Sequence, residues 1–307
     1  KGFFHKNNVE KITFYAETAA VTNVGLRRSE NEDNYYFHGA CLPLSHNEKS
    51  EVVSWKFEMD KTQVLAVFDG MGGESAGDLA SYTSAKTFEA YVRQWRESDQ
   101  MPSEKDVGEM LNHVSQTVYE KARENQYRLI GSTATVLFLR RDEALIADLG
   151  DSPMYLQRVG ELDRISVPHT DEELLRQQGI QRKPGLTQFL GIDTEEMRLE
   201  PYVQQLELRD GDQFLLCSDG LTDMVPEVEI HEVLLEKKSV REKVQMLLER
   251  TLQYGGRAVS TCLSAEIPPR YRVRVQNQRL RLQGYGQVGL CPCTLPDAGG
   301  NLHHKTF

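Results

Sequence analysis

No apolar run in the sequence approaches the ~20 residues that cross a bilayer, and the first residues, KGFFHKNNVEK, carry no long apolar signal-peptide core. Positive charge is in short supply. Lys and Arg number 36 against 46 Asp and Glu, for a net charge of -10, which argues against the basic surface that nucleic-acid binding uses. Cysteine is scarce and odd in number: Cys41, Cys217, Cys262, Cys291 and Cys293 form no disulfide framework and suit a reducing compartment. A cytoplasmic protein with neither membrane nor nucleic acid as partner is therefore expected. No G-K-[ST] follows the Gly-rich stretch GMGGESAG, so it is not a P-loop, and it lacks the G-x-G-x-x-G spacing of a dinucleotide turn.

The chain does have pattern. Its 307 residues are 39% hydrophobic and 27% charged, enough for one large globular domain or two small ones. ITFYAETAAV, NYYFHG and QVLAVFD read as strands. Ala76, Leu79, Ala80, Phe88, Val92 and Trp95 then fall mostly at helical spacing. So do Val107, Leu111, Val114, Val118 and Ala122, with Ser103 and Asp106 as a capping box. Strands return in GSTATVLFLRR, EALIADLGD, PMYLQRVG and LDRISV, with turns at Arg140 to Glu143 and at Gly160-Glu161. A short polar helix, TDEELLRQQG, precedes a Lys-Pro-Gly loop, strands at YVQQLEL and DQFLLCSDG, and helices at PEVEIHEVLL and SVREKVQMLLERTLQ, the last stopped by Gly255-Gly256. Strands, two helices, strands, two helices predict an α+β fold: an antiparallel β-sandwich of two sheets flanked by pairs of antiparallel helices.

Composition changes near Ala265. Residues 1–265 carry about -14 and residues 266–307 about +4. The first stretch is expected to be the folded domain. The second, rich in Pro, Gly, Arg and Gln, is expected to be a disordered extension, with an exposed strand over YRVRVQNQRLRLQ as the alternative. Cys291-Pro-Cys293 with His303 and His304 faintly resembles a metal cluster, but in such a tail it reads more simply as unstructured chain.

Acids at strand ends carry the chemistry. Glu32 and Asp33 lie in RRSENEDNYYF, Asp69 in VFDGMGG, Asp151 in ADLGDSPMYL, and Asp219 and Asp223 in LLCSDGLTD. One such Asp is ordinarily a turn former or a helix cap. Repetition of the pattern weakens that reading. Carboxylates brought together would repel one another and rise in pKa, a conflict that a bound cation removes. Oxygen donors suit Mg²⁺ or Mn²⁺, and no His cluster accompanies them to suggest zinc. Glycine beside such an Asp lets a backbone carbonyl approach an ion.

In these blocks the chain resembles the metal-dependent serine/threonine protein phosphatases of the protein phosphatase 2C class, bacterial type. GLRRSENEDNYYF, VFDGMGG, GSTATVLFL, ADLGDSPMYL, LTQFLG and LLCSDGLTD follow the family's order over roughly residues 15 to 257. The resemblance implies a hydrolase of phosphoserine and phosphothreonine in a phosphorylated protein substrate, a signalling enzyme opposed to a cognate Ser/Thr kinase. It implies two or three Mn²⁺ or Mg²⁺ ions and attack on the phosphomonoester by a metal-bridging hydroxide. Arg28 would hold the phosphate and Asp33 would orient the water. Asp69 would bridge two ions, the Gly70 carbonyl and Glu32 would serve the second, and Asp219 the first. Asp151 and Asp223 would form a weaker third site. Met71 stands where eukaryotic members often have a His and cannot donate a proton.

The chain departs from the family at YGGRAVSTCLS. Ala258 and Val259 stand where the family has a metal-ligating Asp and an Asn. That loss motivates an alternative: a catalytically impaired binding or regulatory module on the same fold. His169, in the short segment SVPHTDEELLRQQGIQRKPG beside the expected site, is either a substrate contact or a loop residue.

Overall fold

The computed structural model describes residues 10–47, 51–72, 76–96, 98–269, 271–276 and 279–282. In chain order its elements are β1 (Glu10–Thr13), β2 (Tyr15–Asn23), β3 (Asp33–Phe37), β4 (Ala40–Cys41), β5 (Val53–Glu58), β6 (Gln63–Gly72), α1 (Gly77–Arg96) and α2 (Glu104–Glu124). Next come β7 (Ile130–Ser132), β8 (Ala134–Arg140), β9 (Glu143–Leu149), β10 (Met154–Arg158), β11 (Glu161–Arg164), α3 (Glu172–Gln178), β12 (Tyr202–Glu207) and β13 (Gln213–Cys217). The last are α4 (Asp219–Thr222), α5 (Glu227–Leu235), α6 (Val240–Gln253), β14 (Ser260–Glu266), β15 (Tyr271–Gln276) and β16 (Arg279–Leu282).

Two compact units result, Thr13–Arg270 and a smaller one built from Lys1–Ile12 with Tyr271–Phe307. In the smaller unit the strands are ordered β1-β15-β16, with β15 and β16 antiparallel. Residues 283–307, which include the Cys291, Cys293, His303 and His304 group, lie outside the described residues.

The larger unit is the α+β sandwich that the pattern predicts. One sheet has the order β11-β10-β13-β14-β2-β5. The other runs β12-β9-β8-β6-β3-β4, with β7 paired to β6. Side chains alternate across each strand. In β6, Leu65 and Val67 enter the core between the sheets, while Val64, Ala66 and Phe68 pack with Phe88, Val92, Val107 and Met110 of α1 and α2. In β13, Phe214 and Leu216 point inward, while Leu215 and Cys217 meet Ile230, Val233, Val244 and Leu247 of α5 and α6. Each sheet therefore has a helix pair on its outer face.

Local chemistry fixes the boundaries. Ser103–Asp106 and Ser239–Glu242 both form reciprocal capping boxes, at the starts of α2 and α6. Val159 and Gly160 have positive φ, 53° and 84°, the backbone that a tight hairpin between β10 and β11 demands. Beyond Gly255 and Gly256 the chain re-enters the sheet: β14 lies between β13 and β2, with Cys217 opposite Cys262 and Thr22 opposite Thr261.

Candidate active site

The alternation that buries Leu65 and Val67 places Asp69 on the same inward face, at the end of β6 where the apolar core stops. Asp33 is its direct partner across β3. Both carboxylates therefore stand on one rim of the sandwich, and side chains from both sheets hold them there. The Asp69 amide donates to Thr133 Oγ1 at 3.0 Å, and the Thr133 hydroxyl in turn lies 2.7 Å from Ser152 Oγ. Ser218, on the opposite sheet, donates from Oγ to Asp33 Oδ2 at 2.7 Å, and the Thr261 hydroxyl is a second partner of that carboxylate. Asp219 follows Ser218 directly as the first residue of α4. Asp33 and Asp69 from one sheet thus face Asp219 from the other.

Electrostatics report the convergence. Burial pushes the Asp69 carboxyl well above the carboxylate range, and the charges of Asp33, Asp219 and Asp151 push it further. Burial carries Asp33 up to about 7, against the opposing hydrogen bonds from Ser218 and Thr261. Asp151 is raised by burial and then by Asp219. Glu32 is raised by burial, with Arg28 acting against it. Four buried or half-buried aspartates sharing one field are costly unless protonated or neutralised by a cation.

Glycine completes a second arm of the site. The Gly70 amide donates to the Glu32 carbonyl at 3.1 Å. A Cβ on Gly70 would stand 2.0 Å from the Gly77 carbonyl and 2.4 Å from that of Glu32. A Cβ on Gly77 would lie 2.7 Å from Glu32 Oε1 and 2.8 Å from the Gly70 oxygen. No other residue fits at either place, and the packing brings the Gly70 carbonyl beside the Glu32 carboxylate.

The donor set fits a hard divalent cation, since every group is an oxygen and the carboxylates repel when left alone. No three His, Cys, Asp or Glu side chains among the described residues already form a ready ligand shell. The field of shared charge and the gap at Ala258 are compatible with that: carbonyls and water must complete any coordination on the Asp219 side.

Position 258 does return to this rim. The Leu26 amide donates to the Gly256 carbonyl at 2.7 Å. A Cβ on Gly25 would meet the Ala258 oxygen at 2.7 Å, and one on Gly220 would meet the Val259 oxygen at 1.7 Å. Residues 256–259 therefore run between the loop that carries Arg28 and the start of α4. Arg28 is exposed, with Nη1 3.5 Å from Glu32 Oε2. Asp223 caps α4 and is exposed. Asp151 feels Asp219 as its main carboxylate neighbour. His169 holds a loop, with Nε2 3.0 Å from the Glu200 carbonyl and its amide donating to Gly150 O at 2.8 Å.

Several site residues carry no sequence signal. Ser218 and Thr261 are unremarkable polar residues until two strands put them over Asp33. Asp148, in the same ADLGD stretch as Asp151, points into the sandwich, takes a bond from Thr135 Oγ1 at 3.0 Å and is pushed well up by burial. Lys183 lies 3.1 Å from Asp219 Oδ2 and 3.5 Å from Asp223 Oδ2. Gly73 to Gly77 also spells G-x-S-x-G. A serine-hydrolase elbow of that spelling belongs to an α/β-hydrolase sheet, whereas β6 pairs only antiparallel with β3, β7 and β8. Residues 73–75 themselves lie outside the described residues.

Residues 53–260 match the family model described as Protein phosphatase 2C. The serine/threonine phosphatase stp of Listeria innocua is 30% identical over 236 residues, which cover 72% of this chain and 90% of that protein. The serine/threonine protein phosphatase PstP of Mycobacterium tuberculosis is 28% identical over 263 residues, covering 84% of this chain and 46% of that one. Among solved structures, the catalytic domain of PstP in complex with two manganese ions superposes with a TM-score of 0.64 at 25% identity, over 84% of this chain and 100% of that domain. PppA of Pseudomonas aeruginosa gives 0.65 at 26%, with the same coverage.

Proposed function

As the chain belongs to the protein phosphatase 2C family, we propose that it is a metal-dependent protein serine/threonine phosphatase acting on phosphoserine and phosphothreonine. The observation that carries this reading is the meeting of Asp33 and Asp69 from one sheet with Asp219 from the other, in a field that raises Asp33 and Asp69 together. Such a group is stable in its charged form only around a cation. Asp69 and Asp219 would hold one Mn²⁺ or Mg²⁺. Asp69, the Gly70 carbonyl and Glu32 would hold a second, and Asp151 with Asp223 a weaker third. When bound, these ions lower the pKa of water and neutralise phosphate charge.

The chain's own side chains do the rest. Arg28, exposed at the mouth, binds phosphate oxygens through its guanidinium fork. Glu32 Oε2 lies 3.5 Å from that guanidinium, a partly exposed pair. Asp33, fixed by Ser218 and Thr261, orients the attacking water and takes up its proton. Met71 offers no proton to the leaving alkoxide, and a water in the site would supply it. The substrate is a phosphorylated protein, and the activity would oppose a Ser/Thr kinase. Cys217 and Cys262 face each other across β13 and β14 as free thiols, which supports a reducing, cytoplasmic setting.

Ala258 favours a second reading, a phosphatase-like module whose first ion is held too weakly for turnover. Hydrolysis of p-nitrophenyl phosphate with and without Mn²⁺ separates the two. Turnover abolished by chelator is the expected result. Mn²⁺ binding without turnover would establish the module instead.

A further inference from the structure

The loop between α3 and β12 places a cation where the acids of the rim meet. Its base is closed by reciprocal bonds: the Asp171 amide donates to the Gly185 carbonyl at 3.0 Å, the Gly185 amide donates to Asp171 Oδ1 at 2.7 Å, and the Thr187 amide donates to the His169 carbonyl at 2.8 Å. Arg182 pairs with the same Asp171. Lys183 is thereby projected from a stapled loop, and its ammonium lies 3.1 Å from Asp219 and 3.5 Å from Asp223. Its charge also acts on Asp151, opposing the upward push of burial there. The three carboxylates that this one side chain serves are those proposed above for the first and third ions.

We propose that Lys183 is a tethered counter-ion, which holds the Asp219–Asp223 side of the rim until a divalent ion displaces it. Loading of that place and release of the Lys183 side chain from it are then one event. This inference rests on the metal-dependent reading above. One ammonium and one Mn²⁺ cannot share Asp219 Oδ2 without strong repulsion. The side chain of Lys183 is 72% exposed, so the contact is moderate and reversible. A contact of this class is made for roughly 60–85% of the time, and removing it tightens the competing ion about two- to sixfold.

Calorimetric titration of the full chain with Mn²⁺ tests this without reference to turnover. Lys183→Gln is expected to bind Mn²⁺ about two- to sixfold more tightly at low ionic strength, with the difference shrinking as salt is added. Lys183→Arg, which keeps the charge, should stay near wild type. Amine labelling supplies the second measurement. Added Mn²⁺ should speed acylation of the Lys183 side chain in the wild type, because its ammonium is then released from Asp219 and Asp223. Equal Mn²⁺ affinities in wild type and Lys183→Gln, or Lys183 labelling indifferent to Mn²⁺, overturn the counter-ion role and leave the metal reading standing. Absence of Mn²⁺ binding in every protein overturns the metal reading, and this inference with it.

Discussion

Ala258→Asp should restore a ligand, and the structure sets the size of the effect. The chain at 256–259 is pinned between two fixed points. The Leu26 amide binds the Gly256 carbonyl at 2.7 Å, and Gly220, next to Asp219, leaves room for the Val259 oxygen only because it has no Cβ. An Asp at 258 therefore enters a rim whose backbone is already in place. At about 4 Å from a divalent ion and an effective dielectric near 20, one added charge is worth about 8 kcal/mol before any cost. Two costs reduce this figure. The new carboxylate must be partly desolvated, and without metal it repels Asp69 and Asp219, so the free protein loses stability. A net gain of about 1–2 kcal/mol remains, or a five- to thirtyfold tighter Mn²⁺ complex. Val259 is best left unchanged, because it is buried and an Asn there would need partners of its own. Calorimetry with Mn²⁺ reads the affinity, and a melting curve in chelator reads the cost, expected as a lower Tm. Unchanged affinity together with an unchanged metal-free Tm would refute the reasoning, since the Cβ of residue 258 would then point away from the rim.

Asp69→Asn should cut phosphatase activity at least about a hundredfold and raise the metal-free Tm at neutral pH, because burial and then Asp33, Asp219 and Asp151 make ionisation of the Asp69 carboxyl costly and an amide has no such cost. Activity near wild type would contradict the bridging role. Arg28→Ala should lower turnover of phosphopeptides by about 1.5–3 kcal/mol of transition-state stabilisation while Mn²⁺ affinity holds. A comparable loss of Mn²⁺ binding would argue against a phosphate-only role. Metal-free stability should fall as pH rises from about 4 to about 7. Asp33 keeps its proton in the folded chain up to about 7, whereas the unfolded chain releases it near 4, so the folded state binds more protons throughout that window. Added Mn²⁺ should flatten or reverse the slope and release protons, seen as buffer-dependent heats. A metal-free Tm that climbs across the window, with the same slope in Asp33→Asn, would show that Asp33 does not govern it.

The layers and the list of acids are legible in the chain's own pattern. Strand geometry puts Leu65, Val67 and Asp69 of QVLAVFD on one face and Val64, Ala66 and Phe68 on the other, but both sets of side chains at 64–68 are apolar, so folding alone shows which face looks inward. Capping residues and Gly255-Gly256 fixed the ends of helices, because those signals act within a few residues along the chain. Which acids meet is set by the folding of distant segments onto one rim. Asp33 and Ser218 are 185 residues apart, yet a 2.7 Å bond joins them. No local pattern encodes it, because it depends on two strand ends from different sheets arriving at one rim. The return of the chain after Ala258 is of the same kind. The missing Asp at Ala258 suggested an impaired site, while pairing of β14 between β13 and β2 carries residues 256–259 back to Gly25 and Gly220. Lys183 shows the limit most plainly. In sequence it is one Lys in a Lys-Pro-Gly loop, and its charge acquires meaning only where folding sets it against Asp219 and Asp223.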